Sequence, residues 1–165
     1  MKVLVTGVSG QLGHDVMNEL DKRGYTGIGS DIADNYSGIQ DNSAVTTMEY
    51  VKMDITDEAV VDEVISSVSP DVIIHCAAWT AVDMAEDDDK VEKVRAVNAK
   101  GTANIAKAAK KLDCKMVYIS TDYVFNGQGE KLGSRTARNT SRLMYMDRLS
   151  LRVSLRLLIH FQNIL

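Results

Sequence analysis

The sequence holds little that would staple, tether or span. It has one proline (Pro70), two cysteines, one tryptophan and two phenylalanines in 165 residues. Cys76 and Cys114 are far apart in sequence, each in an apolar strand context. They read as buried free thiols, and neither a disulfide nor a metal site is expected. His14 reads as a surface residue and His75 as part of a site wall, and neither has a partner at metal or triad spacing. No apolar run is long enough to cross a bilayer, so no membrane partner is expected. Met1-Lys2 leads directly into Val3-Leu4-Val5-Thr6-Gly7 without a signal-peptide pattern, so the expected location is cytoplasmic.

Positive charge is also scarce, but only in the first four-fifths of the chain. Residues 1–131 carry 13 Lys+Arg against 22 Asp+Glu, which argues against a nucleic-acid partner. Residues 132–165 carry six cations, all Arg, and one acid. So abrupt a change sets 132–165 apart as a tail composed under different constraints.

What is present before residue 131 alternates strand and helix patterns. Strands are expected at Val3–Val5, Thr26–Ser30, Tyr50–Met53, Val72–Cys76 and Lys115–Ile119. Helices are expected from Gln11 to Arg23, with Leu12, Val16, Met17 and Leu20 on one face, from Asp57 to Val68, and from about Asp89 to Leu112. Residues 34–47 are polar and aperiodic and read as loop, and the acids Glu86 to Asp89 read as a solvated run ahead of a helix. Strands alternating with helices imply βαβ units: an α/β, Rossmann-like parallel sheet with helices on both faces, here truncated.

Between the first strand and first helix lies Gly7-Val8-Ser9-Gly10-Gln11-Leu12-Gly13, a G-x-x-G-x-x-G loop. A tight turn, close backbone approach and close helix packing each call for glycine, and a helix start offers free N–H groups to a pyrophosphate. Asp31 follows 18 residues after Gly13, at the end of the second strand, where a carboxylate accepts from adenosine ribose hydroxyls. Its charge would oppose a 2′-phosphate, so the expected cofactor is NAD(P)H with NADH favoured. A glycine-rich structural turn and a solvated turn aspartate are the competing readings.

Further stretches sit at strand ends: Asp54-Ile55, His75 to Asp83, and Ser120 to Phe125, with Asn98-Ala99-Lys100-Gly101 in the long helix. Together, and above all in AAWTAVDMAE and STDYVFNGQGE, residues 1–131 resemble the extended short-chain dehydrogenases of the dTDP-4-dehydrorhamnose reductase family. The resemblance implies NAD(P)H-dependent reduction of the 4-keto group of a dTDP-linked deoxysugar, a nucleotide-sugar partner, and a possible homodimer. By the same resemblance Gly10, Gln11 and Leu12 hold the pyrophosphate and Asp31 the ribose. Asp54 and Ile55 flank the adenine, and Ala77, Ala78, Trp79 and Thr80 line the way to the nicotinamide. Thr121 is the catalytic hydroxyl beside the substrate carbonyl, and Asp122 a substrate contact. Simple helix–sheet packing competes for the alanines.

The family's Tyr-x-x-x-Lys pair, its proton donor and pKa-lowering partner, is missing. None of Tyr25, Tyr36, Tyr50, Tyr118, Tyr123 and Tyr145 has Lys four residues on, and Tyr145 meets Leu149 there. The family would continue past Lys131 with Pro-Trp-Glu and then Asn-x-Tyr-Gly-x-x-Lys-x-x-Gly-Glu. Synonymous codons exist for Leu132 to Leu157 that, read with one extra C in front, spell PWEPDCKEYKPLNVYGQTKLEGELAV. The expectation is a Rossmann domain over 1–131, a non-native frameshifted tail over 132–165, an absent C-terminal substrate domain, and a chain inactive by itself. A selected tail is the alternative, since Leu149, Leu151, Val153, Leu155 and Leu157 alternate with polar residues as a strand does. A non-catalytic dinucleotide-binding protein, or a piece of a nucleotide-sugar epimerase or dehydratase, competes for the whole.

Overall fold

The computed structural model describes residues 1–36, 47–81 and 89–120. Among them the order is β1 (Lys2–Thr6), α1 (Gln11–Lys22), β2 (Thr26–Asp31), β3 (Glu49–Lys52), α2 (Glu58–Val68), β4 (Val72–His75), α3 (Val91–Arg95), a π-helical segment (Ala96–Gly101), α4 (Thr102–Lys111) and β5 (Lys115–Tyr118). The strands form one parallel sheet in the order β3-β2-β1-β4-β5. The order reverses between β1 and β4, and that switch point is where open α/β sheets bind ligands.

The pleat sorts the core into two layers. Leu4, Ile28 and Ile73 point to one face and pack with Val61 and Ile65 of α2 and with Ile105 and Ala109 of α4. Val3 and Val5 point to the other and pack with Met17 and Leu20 of α1. Helices therefore lie on both faces, as the strand–helix alternation implied. Every strand center expected from sequence is present, with ends displaced by about one residue.

Local chemistry sets the helix ends. Asp57 caps α2, its carboxylate accepting from the N–H groups of Ala59 (3.0 Å) and Val60 (3.2 Å). Gly24, just beyond α1, takes φ +70°, the left-handed conformation that suits a chain leaving a helix.

Four expectations need correction. Leu12 is 48% exposed and not on the buried stripe, because it lines the groove at the sheet's carboxyl edge; Gly13 and His14 are buried in its place. His14 is no surface residue: it is wholly buried, its ring between the hydroxyl of Tyr36 and the amide of Asn18, which donates to Nε2 at 3.0 Å. The long helix runs from Val91 to Lys111, but its middle, Ala96–Gly101, is a π segment. Cys114 is buried as expected, whereas Cys76 is only half-buried because it lies past the end of β4; both thiols are free. Among the described residues no helix is long and apolar enough to cross a membrane.

Candidate functional site

The carboxyl ends of β1, β2 and β4 open onto a groove of about 1110 Å³. Gly7, Gly10, Gln11, Leu12, Gly13, Asp31, Asp54, Ile55, Ala77, Ala78, Trp79 and Thr80 all line it. The fold thus brings together every expected cofactor residue. Thr121 and Asp122 lie outside the described residues, as do 132–165.

The glycine loop is built as its spacing requires. Gly7 has φ +76°, and a Cβ there would lie 2.6 Å from the backbone nitrogen of Ala77. Gly7 N–H donates to the Ser30 carbonyl (2.8 Å), which fixes the turn against β2. At Gly13 a Cβ would lie 2.2 Å from the Gly7 carbonyl oxygen, so only glycine lets α1 start this close to β1. Gly10 differs, because a Cβ there would meet only the Gly7 oxygen, at 3.4 Å. It precedes α1 in extended conformation with no side chain capping the helix. The first N–H groups of α1, which lack intrahelical partners, are thus left for a ligand.

Asp31 leans toward this loop. Its Oδ2 accepts from Ser9 N–H (2.9 Å) and its Oδ1 from Ile32 N–H (2.7 Å). The carboxylate therefore stands at the groove edge beside the loop. Across the groove, Asp54 Oδ1 accepts from the Thr56 N–H (2.9 Å) and hydroxyl (2.7 Å). The Ile55 carbonyl accepts from the buried Asn104 amide (2.9 Å), which holds this wall to α4.

The floor at the end of β4 rests on a directed chain of hydrogen bonds. Thr102 Oγ1 donates to the Asn98 carbonyl (3.0 Å), so toward His75 it acts as acceptor, and His75 Nε2–H donates to it (3.0 Å). His75 Nδ1 must then accept from the Thr6 hydroxyl (2.7 Å). Burial pulls His75 down to about 4, so at neutral pH the ring is uncharged, as this pattern needs. The site-wall reading of His75 holds, because the ring also lines the groove. Asn98 pairs twice with Trp79, its Oδ1 accepting from the N–H (2.7 Å) and its Nδ2 donating to the carbonyl (3.1 Å). Trp79 Nε1–H donates to the Ala81 carbonyl (3.1 Å), which fixes the indole.

Sequence reasoning did not find Lys93, Asn104, Ser30 or Thr102 as parts of this site. Buried Asn and Thr on a helix carry no periodic signal of their own. Ser30 Oγ is the one buried side-chain polar atom without a hydrogen-bond partner among the described residues, and Ser30 lines the groove. No group of potential metal ligands occurs among the described residues.

Residues 1–141 match the family model described as the RmlD substrate binding domain. The chain is 37% identical over 126 residues to a dTDP-4-dehydrorhamnose reductase of Streptomyces griseus, covering 76% of this chain and 35% of that protein. The beta subunit of methionine adenosyltransferase 2 from Danio rerio is 33% identical over 142 residues, 86% of this chain and 39% of the relative. The crystal structure of dTDP-4-dehydrorhamnose reductase from Bacillus anthracis str. Ames, in complex with NADP, superposes with a TM-score of 0.72 at 30% identity, over 94% of this chain and 48% of that one. The chain spans about a third of the length of the curated relatives it matches.

Proposed function

Because this chain belongs to the RmlD family of dTDP-4-dehydrorhamnose reductases, we propose that residues 1–131 are the dinucleotide-binding half of an NAD(P)H-dependent reductase of a dTDP-linked keto-sugar. The observation that carries the reading is the groove itself. A glycine-lined turn, an uncapped helix start and a ribose-ready carboxylate converge at the sheet's switch point.

The residues present fit a dinucleotide. The α1 N–H groups and Gly10 face the place of a pyrophosphate, and Asp31 that of a ribose. Asp54 and Ile55 form the adenine wall, and Ala77 to Thr80 lead toward the nicotinamide. When bound, the reduced nicotinamide supplies hydride to a keto carbon. This chain's share is to bind and orient, with Thr121 placed by resemblance beside the substrate carbonyl and Asp122 at the sugar. Asp31 favours NADH, because its carboxylate would repel a 2′-phosphate, although the Bacillus anthracis relative was solved with NADP. The Asp31→Ala variant is expected to narrow the gap between NADH and NADPH affinity; an unchanged ratio contradicts the preference.

The family's proton donor is missing, and we read 132–165 as the product of a one-nucleotide frame slip near codon 132. Sequencing the locus decides this: an uninterrupted gene whose alternative frame does not spell the family continuation removes the idea. With the frame restored, the protein is expected to turn over a dTDP-4-keto-deoxysugar with NAD(P)H. The chain as it stands is expected to lag by at least the roughly 10²–10⁴-fold that a general acid contributes. Comparable rates from both would sink the account of the tail.

A second reading, a dinucleotide-binding subunit without catalysis, draws on the likeness to a relative named as a beta subunit. It predicts binding without turnover even in the restored frame.

A further inference from the structure

We propose that Lys93, seated on the face of Trp79, is a recognition residue for a ligand diphosphate; the inference rests on the dinucleotide reading above and extends it to a side chain that reading does not use. Lys93 is the only lysine or arginine among the described residues that line the groove. The groove's described carboxylates are Asp31 and Asp54, so every other side chain of fixed charge in the described wall is negative. A diphosphate entering it would meet helix-start N–H groups at one end and, without Lys93, no full positive charge in the described wall.

The ammonium stands 5.5 Å from the centroid of the indole ring. Cation–π contact holds a lysine head without neutralizing it. The neighboring charges of α3 are already matched: Glu92 pairs with Arg95 (2.8 Å), and Asp89 with Lys90. Among the described residues no carboxylate lies within ion-pair distance of Lys93. The platform beneath it is fixed at three points, two from the Asn98 amide and one from the Ala81 carbonyl. An exposed lysine normally samples many rotamers, so a rigid aromatic seat at the groove rim keeps the charge where an anion can reach it. Lysine recognizes phosphate as a point charge and needs no forked geometry.

Two ligands of this family's chemistry bring a diphosphate ester: the dinucleotide and the nucleotide sugar. Calorimetric titration of the full chain with NADH and, separately, with thymidine 5′-diphosphate distinguishes them, with adenosine as a phosphate-free control. Lys93→Met is expected to weaken one or both diphosphates about tenfold, the size of one charge-assisted hydrogen bond. Adenosine should be unaffected, and the arm that falls identifies the source. Lys93→Arg should stay within about threefold of the wild type, since the charge is kept. Trp79→Leu, which removes the seat and keeps the charge, should weaken the same ligand.

If Lys93→Met binds both diphosphates as the wild type does, the inference is overturned while the dinucleotide reading stands. Equal losses for the diphosphates and adenosine mark a structural effect and also overturn it. A wild-type chain that binds neither diphosphate overturns the dinucleotide reading, and this inference falls with it.

Discussion

His75 shows how one buried residue ties the groove floor to the helix behind it. Its ring accepts from Thr6 on β1 and donates to Thr102 at the start of α4, joining two elements 96 positions apart in sequence. That pattern exists only for the neutral imidazole. Burial lowers the folded-state value to about 4 from 6.5, so the unfolded chain takes up the proton first as pH falls. The stabilization is complete above about pH 6.5 and is lost progressively down to about pH 4. It amounts to on the order of 3 kcal/mol, at 1.36 kcal/mol per unit. Urea unfolding of the wild type and His75→Asn across that window should show the stability difference shrinking as pH falls. A difference that stays constant from pH 7 to 4 would falsify the neutral-ring account. The sequence could suggest that His75 sits near the site, but not its protonation state. The state is set by threonines at positions 6 and 102, which only the fold brings together.

At the scale of elements, the strands were legible because parallel central strands are short apolar runs closed by turn residues. The helix α2 was legible because Val61, Ile65 and Val68 recur at helical spacing. Its start is chemically explicit, and Asp57→Ala should cost about 1 kcal/mol by losing the cap. Thermal or urea unfolding would measure that loss, and an unchanged midpoint would contradict the capping role. The π segment was not legible. Ala96 to Gly101 reads as ordinary helix by composition, and the extra residue in the turn is seen only in the backbone. Its consequence reaches the site, since the segment carries Asn98 to the backbone of Trp79. Gly101 belongs to the same feature, as a Cβ there would meet the Ile55 side chain at 2.7 Å. Leu12 and His14 were misread for a related reason. Helical periodicity states which residues share a face, but not that Leu12 opens onto the groove while His14 is covered.

At the scale of the molecule, the described residues up to 120 form five strands, two helix layers and the groove at their carboxyl ends. The switch point between β1 and β4 is what concentrates glycines, acids and the β4 end around one space. The glycine loop and Asp31 could be read directly, because each residue type there has a conformational or electrostatic reason. Asp54, Ile55 and Ala77 to Thr80 were found by resemblance to a family, and Lys93, Ser30 and Thr102 by neither route. Among the described residues, β5 is the last strand of the sheet and carries exposed Val117, with Ile119 just beyond it, each 47% exposed. Such surface beside an edge strand favours association. Exchanging Val117 for Lys is therefore expected to raise the concentration at which the chain stays in solution, measured by light scattering. Equal scattering from both proteins would contradict it.

The claim on which the rest depends is that the turn after β1 receives a pyrophosphate. Calorimetric titration of NADH into the full chain and into Gly10→Ala tests it most directly, because Gly10 has room for a methyl group within the fold but none to spare beneath a ligand. The account predicts saturable one-to-one binding by the wild type. It predicts affinity weaker by about tenfold or more in the variant, with an unchanged unfolding midpoint. Absence of binding by the wild type, or equal affinity in the two proteins, would contradict it.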